Sequence, residues 1–110
     1  MTNNRANSRT PIDAKIDAID LDNRETIGGL VNISAGGLML VSESSIELNK
    51  LYRFEIQLPT TDTEQTTIEL GADSLWTNQS DNGEYFWTGF QIIDISDANQ
   101  EIIQQFTDGQ

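Results

Sequence analysis

Arg5 and Arg9, with three residues between them, and the run Asn32-Ile33-Ser34-Ala35-Gly36-Gly37 hold the residue types in this chain best suited to recognition chemistry. A guanidinium presents a planar fork of donors that suits a phosphate or the O6/N7 edge of guanine, and its flat face stacks on a base. Two such groups four residues apart on an extended arm reach different parts of one ligand. Asn32 and Ser34, at i and i+2 of a strand, project to the same face and present a carbonyl, an amide and a hydroxyl together. Gly36 and Gly37 allow the chain to turn sharply and its backbone to approach a ligand. The chemistry shared by these groups is that of an anionic guanine nucleotide. Either pattern alone is commonplace, as a pair of solvated cations or as a hairpin turn; their combination carries the reading.

The elements that must position these residues read as all-β with one helix. Ile12, Ala14, Ile16 and Ala18 alternate with Asp13, Lys15 and Asp17, the period of a half-buried strand. Residues 20–25 are polar and read as a loop. Residues 26–33 form a second strand with a bend at Gly28-Gly29, and residues 38–42 a third after the Gly36-Gly37 turn. Residues 51–58 alternate Tyr52, Phe54, Ile56 and Leu58 with polar partners, the clearest strand in the chain. Residues 60–65 read as a polar loop and 66–76 as a fifth strand. A turn at 78–84, where Asn82-Gly83 favours a hairpin, leads to a sixth strand at 85–93. Short strands with Gly and Asn turns suggest a sandwich or a small barrel. Ser96 or Asp97 caps a closing helix whose Ala98, Ile102, Ile103 and Phe106 share a face suited to core packing. Trp76, Phe86, Trp87 and Phe90 read as core, with room for one exposed aromatic to stack on a base. Gly89, in mid-strand, implies close packing or a bulge.

Composition narrows the function. The 110 residues carry a net charge of −12. Residues 1–12 hold Arg5 and Arg9 and no carboxylate; residues 13–110 hold four cations and eighteen carboxylates, a balance of −14. A cationic arm thus precedes an anionic body, and such a body argues against nucleic acid, whose binding needs Lys and Arg to displace phosphate counterions. The chain has no Cys and no His, so the strongest side-chain nucleophile and the commonest general base are both missing. Ser34 has no base to activate it, and no catalytic residue is assigned. Asp20-Leu21-Asp22-Asn23-Arg24-Glu25 fails as a calcium loop, with Arg24 at a ligand position, Glu25 where Gly is needed and Val31 where a bidentate Glu belongs. No metal or cofactor is expected. The N-terminal residues are polar with no apolar stretch behind them, and Leu38-Met39-Leu40-Val41 is far too short for a membrane span. A cytoplasmic protein without membrane insertion is the expectation.

The order of arm, first strand, N-x-S-x-x-G, further strands and closing helix resembles the PilZ family of bacterial cyclic di-GMP receptors. The resemblance covers roughly residues 5 to 106. It rests on the two motifs, on Leu38 after the second, on Leu75-Trp76, on Gly89-Phe90 and on the amphipathic C-terminal helix. It implies a six-stranded antiparallel β-barrel with a C-terminal α-helix over residues 11–110, preceded by a flexible cationic arm at 1–10. It implies further that Arg5 and Arg9 contact phosphates and guanine Hoogsteen edges and stack on the bases. Asn32 then meets the guanine Watson–Crick edge, Ser34 meets a phosphate or the exocyclic amine, and Gly37 lets the backbone approach. The family pattern takes Asp or Asn at the first of these positions; Asn32 offers one acceptor oxygen where Asp has two, which implies weaker binding. The resemblance also implies second-messenger signalling to a downstream protein. The arm lacks apolar anchors apart from Met1, so ligand is expected to order it and moderate salt to weaken the contact. A PilZ-fold adaptor that binds no nucleotide is the alternative; a single-stranded nucleic-acid binder on a small barrel is disfavoured by the −14 body.

Overall fold

Period-two alternation in the sequence becomes a set of barrel staves with one wet and one dry face. The structure, a computed structural model, describes residues 10–11, 15–59 and 65–108. The elements are β1 (Thr10–Pro11), β2 (Asp17–Asp20), β3 (Thr26–Ile33), β4 (Gly37–Ser42), β5 (Leu51–Pro59), β6 (Gln65–Gln79), β7 (Phe86–Ile95) and α1 (Asp97–Asp108). In β5, Tyr52, Phe54, Ile56 and Leu58 are buried while Leu51, Arg53 and Gln57 are exposed, as expected for an antiparallel strand packed on one side.

Every ladder is antiparallel, in the order β1-β3-β2-β5-β6-β7-β4, and a further pairing of β4 with β3 closes the sheet. β1 and β2 both pair with β3, at Asn32–Ile33 and at Thr26–Gly29, so they share one position in the circuit. The result is a closed six-stranded barrel with one C-terminal helix. Phe54, Ile56, Leu58, Ile68, Leu38 and Leu40 lie in its core with no exposed surface. Phe90 packs edge-on to Phe54 and Tyr52, at centroid distances of 5.2 and 6.0 Å.

Of the first expected strand, Ile16 and Ala18 are buried as the alternation requires; Ile12 and Ala14 lie outside the described residues, as does the loop at 60–64. Asp20, read as loop, is instead the buried last residue of β2. Its Oδ1 accepts from Asp22 N at 2.8 Å, and Asn23 Oδ1 accepts from Glu25 N at 2.9 Å, so these polar side chains cap their own turn. The bend expected at Gly28-Gly29 takes the form of a register shift on the β2 side: Ala18 pairs with Gly28 and Ile19 with Thr26, leaving Ile27 without a partner there.

β6 runs three residues past its expected end because it forms a long hairpin with β7, out to Gln79 opposite Phe86. Asn82 Oδ1 accepts from Glu84 N at 3.0 Å, and Gly83 supplies the φ of 76° that the turn needs. Phe90 is core as expected, but Phe86 and Trp87 are only half-buried and Trp76 is 38% exposed. An extra residue at Leu75 shifts the register, so that Ser74 pairs with Phe90 and Trp76 with Gly89. Ser96 Oγ caps α1 by accepting from Asn99 N at 3.1 Å. Ile103 and Phe106 are buried and Ile102 packs against the core; Ala98, one turn too early to reach it, is exposed.

Candidate functional site

β3 delivers the N-x-S-x-x-G run with a bulge immediately before it. Leu30 pairs with Leu40 but Asn32 pairs with Met39, so Val31 is the extra residue. In a regular strand Leu30 and Ile33 face opposite sides; here both are buried and Val31 and Asn32 are left half-buried between them. The bulge re-aims Asn32. Its Oδ1 is buried and has no hydrogen-bond partner among the described residues. An unsatisfied buried acceptor costs about 1–3 kcal/mol.

The residues that follow have structural partners. β3 ends at Ile33, so Ser34 opens the turn instead of extending a strand face. Ser34 is buried, its N donates to Gly37 O at 2.8 Å, and its Oγ accepts from Gly36 N at 3.2 Å. Gly36 O accepts from Ile92 N at 3.0 Å, which ties the turn to β7. Neither Gly36 nor Gly37 adopts left-handed backbone geometry. The demand at Gly37 is proximity: a Cβ there would lie 2.6 Å from Phe90 O, whereas one at Gly36 would meet nothing within 4 Å.

Arg5 and Arg9 lie outside the described residues. The described backbone next to them, Thr10 and Pro11, pairs with Ile33 and Asn32. Among the described cations, Arg24 forks onto Glu55 at 3.0 and 3.4 Å, and that hydrogen bond, with the carboxylate's charge, holds the guanidinium above its ordinary pKa. Lys50 lies 3.7 Å from Glu47 and 5.0 Å above the Tyr52 ring.

Two cross-strand rows lead away from the site. One runs Pro11, Asn32, Met39, Gly89, Trp76; three strand spacings place the Trp76 backbone roughly 14 Å from that of Asn32. The Trp76 indole reaches back over Gly89, where a Cβ would collide with Cε2, Nε1 and Cζ2 of the ring. Gly89 is thus the seat of an exposed aromatic in line with Asn32. The sequence offered a mid-strand glycine and, thirteen residues before it, a tryptophan, and only the register pairs the two. The other row runs Gly37, Gln91, Asp73, Leu51.

A cavity of about 730 Å³ lies elsewhere, lined by Glu25, Ser42, Ile46, Tyr52 and Tyr85 among others and by none of the motif residues. Among the described residues, no group of three or more His, Cys, Asp or Glu could hold a metal ion, and no helix is long and apolar enough to cross a membrane.

The sequence profile of the PilZ domain matches residues 3–109. No curated protein matches the chain. Among solved structures, the chain is similar to the Bacillus subtilis inhibitor of motility MotI/DgrA, with a TM-score of 0.78 and 23% identity over 98% of this chain and 51% of that one. It is similar to the PilZ domain with c-di-GMP of YcgR from Escherichia coli, with a TM-score of 0.68 and 12% identity over 97% and 91% of the two chains. For MrkH of K. pneumonia in its apo state the TM-score is 0.65, with 18% identity over 94% and 50%. The chain spans about half the length of MotI/DgrA and of MrkH. At these identities the likeness is one of fold.

Proposed function

Because the chain belongs to the PilZ domain family, a family of cyclic di-GMP receptors, we propose that it binds cyclic di-GMP where β1 meets the N-x-S-x-x-G turn, and that it is a receptor without catalytic activity. The observation that carries this reading is the buried, unpartnered Oδ1 of Asn32. Guanine N1–H and N2–H donate to such an oxygen, whereas adenine presents an acceptor at N1. Arg5 and Arg9 supply the positive charge for the phosphates; Arg9 is joined directly to Thr10, which pairs with Ile33 next to Asn32. Trp76 offers a ring face to a base on the same row. The arm that precedes β1 orders as its arginines meet the nucleotide, and the ordered arm with its ligand presents a new surface to a downstream protein. That places the protein in cytoplasmic second-messenger signalling in a bacterium, with no cofactor.

Calorimetric titration tests this. Cyclic di-GMP is expected to bind in preference to GTP, GMP and cyclic di-AMP; equal affinity for the adenine analogue removes the guanine-reading role of Asn32. In the same assay Asn32→Asp is expected to bind cyclic di-GMP about tenfold more tightly, since a carboxylate accepts both guanine donors, while the free variant melts earlier for want of a partner to a buried charge. Lowered stability without tighter binding shows that Oδ1 does not meet the base.

One finding favours a second reading. The hydroxyl of Ser34 is engaged within its turn and a Cβ at Gly37 would collide with Phe90 O of β7, so two of the three motif residues on the barrel have a structural use of their own. A PilZ-fold adaptor that binds no nucleotide retains them for folding alone, and absence of heat with cyclic di-GMP selects that reading.

A further inference from the structure

Two bulges in the β6–β7 ladder push aliphatic side chains off the barrel. Ser74 pairs with Phe90 and Trp76 with Gly89, leaving Leu75 over; Ala72 pairs with Ile92 and Gly71 with Asp94, leaving Ile93 over. Leu75 is 49% and Ile93 50% exposed, and Leu51 on the adjoining strand is 52% exposed. Between them sits Asp73, paired with Leu51 on one side and Gln91 on the other. Its carboxylate makes no hydrogen bond or ion pair among the described residues. Side chains opposite one another across a sheet stand about 5 Å apart, and diagonal ones about 7 Å. Three alkyl groups therefore ring an unpaired carboxylate, an arrangement that does nothing for the free barrel and exposes apolar surface to water.

We propose that this face docks a protein partner that seats a guanidinium on Asp73 and packs apolar side chains on Leu51, Leu75 and Ile93. Charge chooses the occupant. Asp94 and Arg53 flank Gly71 on its two sides within the same patch, which leaves the Asp73 carboxylate as the net charge of the patch, and residues 13–110 carry −14 in all. A second copy in a two-fold interface would set like charges against each other. An arginine inside an apolar ring is the usual anchor of a binding hot spot, and its weakly hydrated fork tolerates that setting better than an ammonium does. The inference rests on the receptor reading in one respect: Asp73 and Gln91 continue the row from Gly37, so a partner seated there borders the nucleotide site and senses its occupancy.

The test uses the whole chain, immobilised with and without cyclic di-GMP, to select displayed random peptides, and measures synthetic copies of the enriched peptides by calorimetry. Enriched peptides are expected to carry arginine among apolar residues. Asp73→Asn, and separately the double variant Leu75→Ser with Ile93→Ser, are each expected to weaken them at least about tenfold. Glu101→Gln, the same charge change on the exposed face of α1, is expected to leave them unchanged. The proposal is overturned by equal losses in Asp73→Asn and Glu101→Gln, which would show attraction to an acidic body alone. It is also overturned by peptides that lack a cation, by peptides that still bind the double variant, or by a selection that enriches none. Sedimentation showing a wild-type dimer that Leu75→Ser dissolves assigns the face to a second copy and overturns it too. Cyclic di-GMP titrated into the wild type reports separately on the receptor reading, so either idea can fail while the other stands.

Discussion

Arg9→Ala loses at least about tenfold in cyclic di-GMP affinity, equivalent to about 1.4 kcal/mol, while its thermal unfolding midpoint matches that of the wild type. The binding loss follows from charge. The body offers −14 to a dianionic ligand, two of its four cations, Arg24 and Lys50, are already engaged by Glu55 and Glu47, and the arm's two guanidiniums adjoin in sequence the strand that pairs with Asn32 and offset the phosphates. Charge-assisted hydrogen bonds are worth about 1.5–3 kcal/mol each, and ordering a residue costs about 1–2 kcal/mol. Removing one guanidinium therefore takes away attraction while most of the ordering cost persists. Preserved stability follows from sequence: residues 1–9 contain no large apolar side chain except Met1, so they contribute little to the core. Calorimetry and circular dichroism on the same sample decide the matter. An Arg9→Ala protein that binds as well as wild type, or one that is unfolded, removes the arm from the recognition scheme. The residual affinity is also expected to depend less on salt, because a screened contact has been lost.

What was legible in the sequence was whatever depends on near neighbours along the chain. The alternation of Tyr52, Phe54, Ile56 and Leu58 marked β5, Asn82-Gly83 marked the β6–β7 turn, and Ser96 marked the start of α1, because strand period, turn geometry and capping are each decided within a few residues. The site was legible as a pair of motifs and no further. Its geometry depends on register, which no local pattern encodes. The extra residue at Val31 that leaves Asn32 half-buried, the extra residue at Leu75 that carries Trp76 over Gly89, and the burial of Asp20 all arise from strands distant in sequence. The place of Ser34 was hidden for a related reason: the i and i+2 rule holds while a strand continues, and β3 stops one residue before it.

The glycine pair separates folding from binding. Gly37→Ala is expected to destabilise the free protein by about 2 kcal/mol, within the range for forcing atoms into a packed site, which for a domain of this size lowers the melting temperature by roughly 8–16 °C. Its new Cβ would stand 2.6 Å from Phe90 O, and that oxygen belongs to a strand paired on both sides, with β4 and with β6. It cannot withdraw without disturbing both ladders. Gly89→Ala meets the Trp76 indole instead, an exposed side chain able to rotate away, so its cost to stability is smaller. Gly36→Ala meets nothing within 4 Å and needs no left-handed geometry, so it is expected to be neutral or to stabilise by up to about 1 kcal/mol through reduced freedom of the unfolded chain. Adjacent residues of one motif thus respond in opposite directions. Thermal unfolding of the nucleotide-free variants reads this without any ligand: if Gly36→Ala and Gly37→Ala melt together, β7 does not set the requirement at Gly37, and a glycine there serves the approach of a nucleotide instead.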